Sequence, residues 1–119
     1  MKYQAVTTVE PKFIRIVARG EYYFEDLPGF LGFIKAEADK NGRSSVLIDC
    51  RSLSGGMSEG ERFEGGVMIA NVFGSKLRAA LMLPDTFITK LGELAAVNRG
   101  AQLLVTSDEA EALAWLIER

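Results

Sequence analysis

Histidine is absent from the 119-residue chain, and cysteine occurs once, as Cys50. Without imidazole no side chain has an ordinary pKa near neutrality. The usual nitrogen ligand for zinc is also missing, as is the Ser-His or Cys-His pair that most hydrolases use. A single thiol excludes an internal disulfide and a cysteine-rich metal cluster. Charge of one sign is lacking too: Lys and Arg number 14 against 16 Asp and Glu, a net of −2. With no positive excess to release counterions from a phosphate backbone, nucleic acid is not an expected partner. Apolar runs are short. Residues 79–83 stop at Pro84, whereas a membrane span needs about 20 residues. No apolar segment of signal-peptide type follows Met1 and Lys2. The expectation is a cytoplasmic protein, neither membrane-spanning nor exported, with no metal and no cofactor. No acid–base or nucleophile–base pair can be assembled, so no catalytic residues are assigned and no enzymatic activity is expected. What remains is ordinary globular material, 48% apolar and 25% charged, and a length that predicts one domain over residues 1–119.

Periodicity divides that domain into alternating elements. Residues 3–9 and 12–19 are rich in Thr, Val and Ile, with Glu10-Pro11 between them as turn chemistry, and predict an opening β-hairpin. Leu27, Phe30, Leu31, Ile34 and Ala38 fall on one helical stripe, with Asp26 as a cap, Pro28 in the first turn and Asn41-Gly42 as the stop. Residues 45–49 read as a strand buried on both faces, followed by a Gly/Ser-rich loop at 52–57. Ser58 and Glu61 stand at capping-box spacing and predict a helix to about Phe73. Residues 77–83 form a further strand. Pro84-Asp85 opens a helix that places Phe87, Leu91, Leu94 and Ala95 on one side and closes at Asn98-Arg99-Gly100. After a last strand at 102–105, Ser107 is expected to cap a helix whose buried stripe is Ala110, Leu113, Ala114 and Ile117. The predicted class is therefore α/β: a β-hairpin followed by repeated β-α units, a mixed sheet of about five strands with four helices. Ligand crevices in such sheets lie beyond the carboxyl ends of the strands, where the 50–57 loop is the longest.

The strand Val46-Leu47-Ile48-Asp49, followed by Ser58-Glu59-Gly60, resembles the STAS superfamily, which includes anti-sigma-factor antagonists and the cytoplasmic domains of sulfate transporters. Residues 48–56, Glu61-Arg62-Phe63-Glu64, Val97-Asn98-Arg99-Gly100 and residues 108–116 are similar to the small STAS-like bacterial proteins of unassigned function. The resemblance implies a β-α superhelix related in shape to the lipid-carrying CRAL-TRIO domains. It also implies a phospho-acceptor. In anti-sigma-factor antagonists a phosphorylatable Ser follows the strand's Asp by nine positions, and counting from Asp49 reaches Ser58, with Gly60 on the motif's glycine. Met57 stands where that motif has an acid, and Glu59 where it has a small residue.

Read from the residues alone, Ser58 is either a phosphate acceptor at a helix N-terminus or simply the helix cap. Ser54, beside Gly55 and Gly56, is the second candidate switch residue. Cys50, with no histidine to activate it, reads as a structural thiol. In the helix to Phe73, Phe63, Val67 and Ala70 share one stripe while Met68 and Val72 point to nearly the opposite side. Either a neighbouring helix covers that second face or a partner does. Gly65 and Gly66 in the same helix imply close packing or a deformable segment. Trp115, off the buried stripe of its helix, is either a surface anchor or packed along the sheet edge. Met57, Met68, Val72 and Trp115 are thus the candidate partner surface. The aromatics Tyr22, Tyr23, Phe24, Phe30 and Phe33 are either core or, if the first helix can lift, the lining of an apolar cavity, with Phe24, Phe30 and Phe33 as the candidate contacts. The expected function is a non-enzymatic binding or regulatory module acting through protein contacts at the 54–73 loop and helix, with a protein partner or a second copy. The alternative is a carrier or sensor of a small apolar or lipid-like ligand, acting at a membrane surface in one form.

Overall fold

A computed structural model describes residues 2–88 and 90–117. Strands β1 (Tyr3–Val9), β2 (Ile14–Glu21), β3 (Ser45–Ser54), β4 (Arg78–Met82) and β5 (Gln102–Thr106) form one sheet in that spatial order. β1 and β2 pair antiparallel, as a hairpin must, and every later neighbour pairs parallel. The helices are α1 (Leu27–Lys40), α2 (Glu59–Phe73), α3 (Leu91–Val97) and α4 (Glu109–Ile117). This is the mixed five-strand sheet with four helices that the periodicity predicts.

Alternation along the strands sorts the core into two layers, because successive side chains point to opposite faces. Ile14, Ile16, Val46, Ile48, Cys50, Ala79, Leu103 and Val105 belong to the larger cluster, which also takes Leu27, Phe30, Leu31, Ile34 and Ala38 from α1 and Ile69, Ala70 and Phe73 from α2. Leu47, Ala80 and Met82 point the other way and meet Ala112 and Leu116 of α4. The buried stripe of α1 is the one its sequence spacing predicts. Asp26, by contrast, gives α1 no side-chain cap; its carboxylate accepts a hydrogen bond from the Tyr23 N–H, 2.9 Å, and closes the short 3-10 turn Phe24–Asp26.

Five local expectations are corrected. β3 runs to Ser54, so the loop shrinks to residues 55–58: β2 extends past a bulge at Val17/Arg19 to Glu21 and offers ladder partners to Ser52, Leu53 and Ser54. Pro84-Asp85 opens only a 3-10 turn, Asp85–Phe87; Ile88 is extended and Lys90 adopts a left-handed φ of 64°, so α3 starts at Leu91. Lys90 is held there by its ammonium group, which donates to the Glu93 carboxylate, 2.7 Å away, and to the Val105 carbonyl. Leu94, expected inside, is 57% exposed. At the last helix, Ser107 donates to Asp85 instead of capping, and the Asp108 carboxylate accepts from the Ala110 N–H, 3.0 Å. That helix buries Ala112 and Leu116, leaving Ala110, Ala114 and Ile117 exposed. Residues 110–117 carry small or apolar side chains almost all round apart from Glu111, so periodicity does not select one stripe and the fit to the sheet does.

Candidate ligand cavity and switch loop

The shape of the site follows from two glycines. A β-carbon on Gly66 would lie 2.2 Å from the Gly92 carbonyl oxygen and 2.9 Å from the Ala95 β-carbon, so α2 and α3 touch backbone to backbone. Gly65 faces the other flank, where a β-carbon would come within 3.2 Å of Leu27. With α2 drawn onto α3, the space between α1, α2 and the sheet is incompletely filled, leaving a partly open cavity of about 130 Å³. Ile48 and Leu103 line it from the sheet, Phe30 and Ile34 from α1, and Ile69 from α2. Gly55, Gly56 and Met57 line it on the loop side, together with Phe87. A smaller cavity of about 80 Å³ lies toward α3 and shares Leu27, Met57, Arg62 and Phe87 with the first.

Few polar groups reach this space. Tyr22 is 9% exposed; its ring packs edge-on against Tyr3, 5.3 Å between centroids, and Phe30, 5.7 Å. Its hydroxyl is buried and makes no hydrogen bond among the described residues. Burial pushes the phenol pKa up, and the neighbouring Cys50 thiol adds to the rise. Burial likewise raises Cys50, with Asp49 contributing, so the thiol stays protonated and unreactive at neutral pH. Arg62 is half-buried, with its guanidinium 6.0 Å from the centre of the Phe87 ring, and has no ion pair among the described residues.

The loop beside the cavity is fastened at both ends. The Tyr22 N–H donates to the Ser54 carbonyl, 2.9 Å, and the Ser54 hydroxyl donates to the Gly20 carbonyl, 3.3 Å. Gly55 has φ 102°, and a β-carbon there would lie 2.3 Å from the Tyr22 carbonyl oxygen, so this position takes glycine for both conformation and space. At the other end the Ser58 hydroxyl accepts from the Glu61 N–H, 3.1 Å, while a Glu61 carboxylate oxygen accepts from the Ser58 N–H, 2.9 Å. Ser58→Ala removes that cap, and we expect it to lower stability by about 1 kcal/mol in urea unfolding; an unchanged midpoint would show that the α2 start does not depend on it.

The other candidate residues are dispersed. Met57 is half-buried and lines both cavities. Met68 and Val72 do not form an open face: both are half-buried against the larger core, because α2 is flanked by α1 as well as α3. Trp115 is half-buried under the Arg78 guanidinium, 3.6 Å from its ring centre, on the opposite face of the sheet from the cavity. Of the three phenylalanines, Phe30 lines the cavity; Phe24 packs against the core elsewhere, and Phe33 is 37% exposed on the outer side of α1. Asp49 points away from Ser58, toward α4. Burial opposes its ionisation, but hydrogen bonds from the Arg51 side chain, both 3.0 Å, and backbone outweigh it and hold the carboxyl below its usual range. Arg51 also reaches Glu109, 3.2 Å, which fixes this corner as a structural ion network. Among the described residues no three acids and thiols gather as a metal site. Arg62, Tyr3 and Phe87 are not among the site residues expected from sequence. Arg62 did carry a signal: it precedes Gly66, Ile69 and Phe73 at four, seven and eleven positions, and so is a cation at the head of a buried stripe.

Comparison with solved structures gives a match over 96% of this chain, and 93% of the other, to an anti-sigma factor antagonist from Mycobacterium paratuberculosis, with a TM-score of 0.65 at 12% identity. The fold is STAS-like. The anti-sigma factor antagonist SpoIIAA in its unphosphorylated form matches 94% of this chain and 93% of its own, with a TM-score of 0.51 and 16% identity. No protein-family model matches the chain, and no curated protein does. In this STAS-like frame the cavity and the 55–58 loop lie at the carboxyl end of β3, where open α/β sheets place their ligand crevices. No helix among the described residues is long and apolar enough to cross a membrane.

Proposed function

We propose that this STAS-like chain is a non-enzymatic regulatory module that takes a small apolar ligand into the cavity beneath α1 and makes protein contacts through the bordering 54–73 loop and helix. The cavity of about 130 Å³ carries the reading. A molecule in it touches α1, the loop and α2 together, so occupancy is mechanically tied to the position of the contact surface. Size sets the ligand class. An apolar cavity of about 150 Å³ holds benzene, so one ring or a short acyl chain fits, whereas a two-chain lipid would require α1 to move. Support for protein contact comes from Phe63, 40% exposed on α2, and from the fold shared with anti-sigma factor antagonists. In this reading charge added at Ser58 or Ser54 acts on the same element: a phosphate on Ser58 would face the Glu61 carboxylate that now completes the cap, and would loosen the start of α2.

Titration with benzene, followed by backbone amide NMR shifts, tests the ligand half. Saturable shifts concentrated in the cavity-lining segments, at residues 27–34 of α1, 48–57 of β3 and the loop, 62–73 of α2 and 81–87, and at Tyr22 and Leu103, are expected. A spectrum unchanged at the solubility limit of benzene overturns it.

A further inference from the structure

An apolar cavity selects for size, and its polar groups select for chemistry. Two polar side chains at this cavity lack a hydrogen-bond or ion-pair partner among the described residues, one buried and one at its half-exposed border. Tyr22 is buried in its wall with an unpartnered hydroxyl, and a buried donor without an acceptor carries a free-energy penalty that an incoming acceptor removes. Arg62 borders both cavities as a half-buried guanidinium with no carboxylate partner among the described residues. The nearby cation Lys90 is different, because Glu93 neutralises it at 2.7 Å. The border of the cavity therefore carries about one net positive charge, fixed on a planar group that grips a carboxylate through two parallel hydrogen bonds. A dianionic phosphate would leave half its charge unmatched.

Resting on the proposed ligand-binding role, we infer that the ligand is a small amphipathic monocarboxylate. Its carboxylate pairs with Arg62, its ring or short chain fills the apolar space, and an oxygen on the apolar body accepts the Tyr22 hydroxyl. Neither polar contact forms a bond to be broken later; the site recognises the acid and does not transform it, in keeping with the protonated Cys50 beside Tyr22.

Calorimetric titration of the full chain with 4-hydroxyphenylacetate, its amide, and phenylacetate separates the contacts. The acid is expected to bind at least about tenfold tighter than the amide, because a charge-assisted pair in a partly buried site exceeds a neutral one by that order. Arg62→Gln should abolish the difference between acid and amide. Tyr22→Phe should bind the hydroxylated acid several-fold more weakly, about as well as unmodified protein binds phenylacetate. The same Tyr22→Phe variant without ligand should melt no lower than the parent, because the hydroxyl it loses was unpartnered. Equal binding of acid and amide, or an Arg62→Gln variant that still prefers the acid, overturns the carboxylate assignment. A lowered melting temperature for free Tyr22→Phe overturns the Tyr22 assignment. Benzene binding is the control: where benzene binds and the acid gains nothing, the ligand class is wrong, and where benzene also fails, the cavity reading itself is wrong.

Discussion

Gly66→Ala is expected to destabilise the protein by about 3 kcal/mol or more, measured as the loss of unfolding free energy in urea. The sign is opposite to the usual effect, since glycine in an exposed helix is about 1 kcal/mol worse than alanine. At Gly66 the added methyl has no room. It would lie 2.2 Å from the Gly92 carbonyl oxygen, a backbone atom that no rotamer change can move. Relief therefore requires α2 to part from α3, and that contact is also what leaves space beneath α1. Gly29→Ala is the internal comparison, because Gly29 is exposed in α1 and a β-carbon there meets nothing within 4 Å; it should be neutral or stabilising by up to about 1 kcal/mol. A neutral Gly66→Ala would mean that the helices are not in backbone contact.

Phe30→Ala carries the second large effect, a loss of about 3–5 kcal/mol. Phe30 is 3% exposed and packs edge-on against Tyr3 at 5.6 Å and Tyr22 at 5.7 Å. Truncation removes those ring contacts and joins the vacated volume to the adjoining cavity. Single domains are stable by only about 5–15 kcal/mol, so the variant is expected to fold with a reduced margin, and its benzene and naphthalene complexes report on the cavity. The parent should bind benzene and exclude naphthalene, while Phe30→Ala should admit both. A loss below about 1 kcal/mol with unchanged ligand size preference would show that α1 collapses into the gap.

Gly66 and Phe30 also mark the boundary of what could be read in advance. The α1 stripe at Leu27, Phe30, Leu31, Ile34 and Ala38 was legible because one face of that helix is apolar and the other polar, so only one rotation buries it. The Ser58–Glu61 cap was legible because its chemistry is local, complete within four residues. The α4 stripe was not, since an Ala- and Leu-rich helix gives nearly equal apolar surface in several directions. The break before α3 depends on Lys90 reaching Val105, fifteen residues away, which no window along the chain contains. The candidate site divides the same way. Phe30 and Met57 were named from sequence, but their cavity depends on Leu103 and Phe87 arriving from other elements.

Composition and periodicity by themselves determined the α/β class, the element order, the absence of imidazole chemistry and the helix faces with a single apolar side. These are short-range or additive properties, set by each residue and its near neighbours. Tertiary structure alone decided that Met68 and Val72 are half-buried against the core, that α2 leans on α3 through Gly66 and Gly92, and that Tyr22 and Arg62 border one apolar space. The physical reason is that a cavity is what packing fails to fill: it is a property of how several rigid elements meet, and no single segment encodes it.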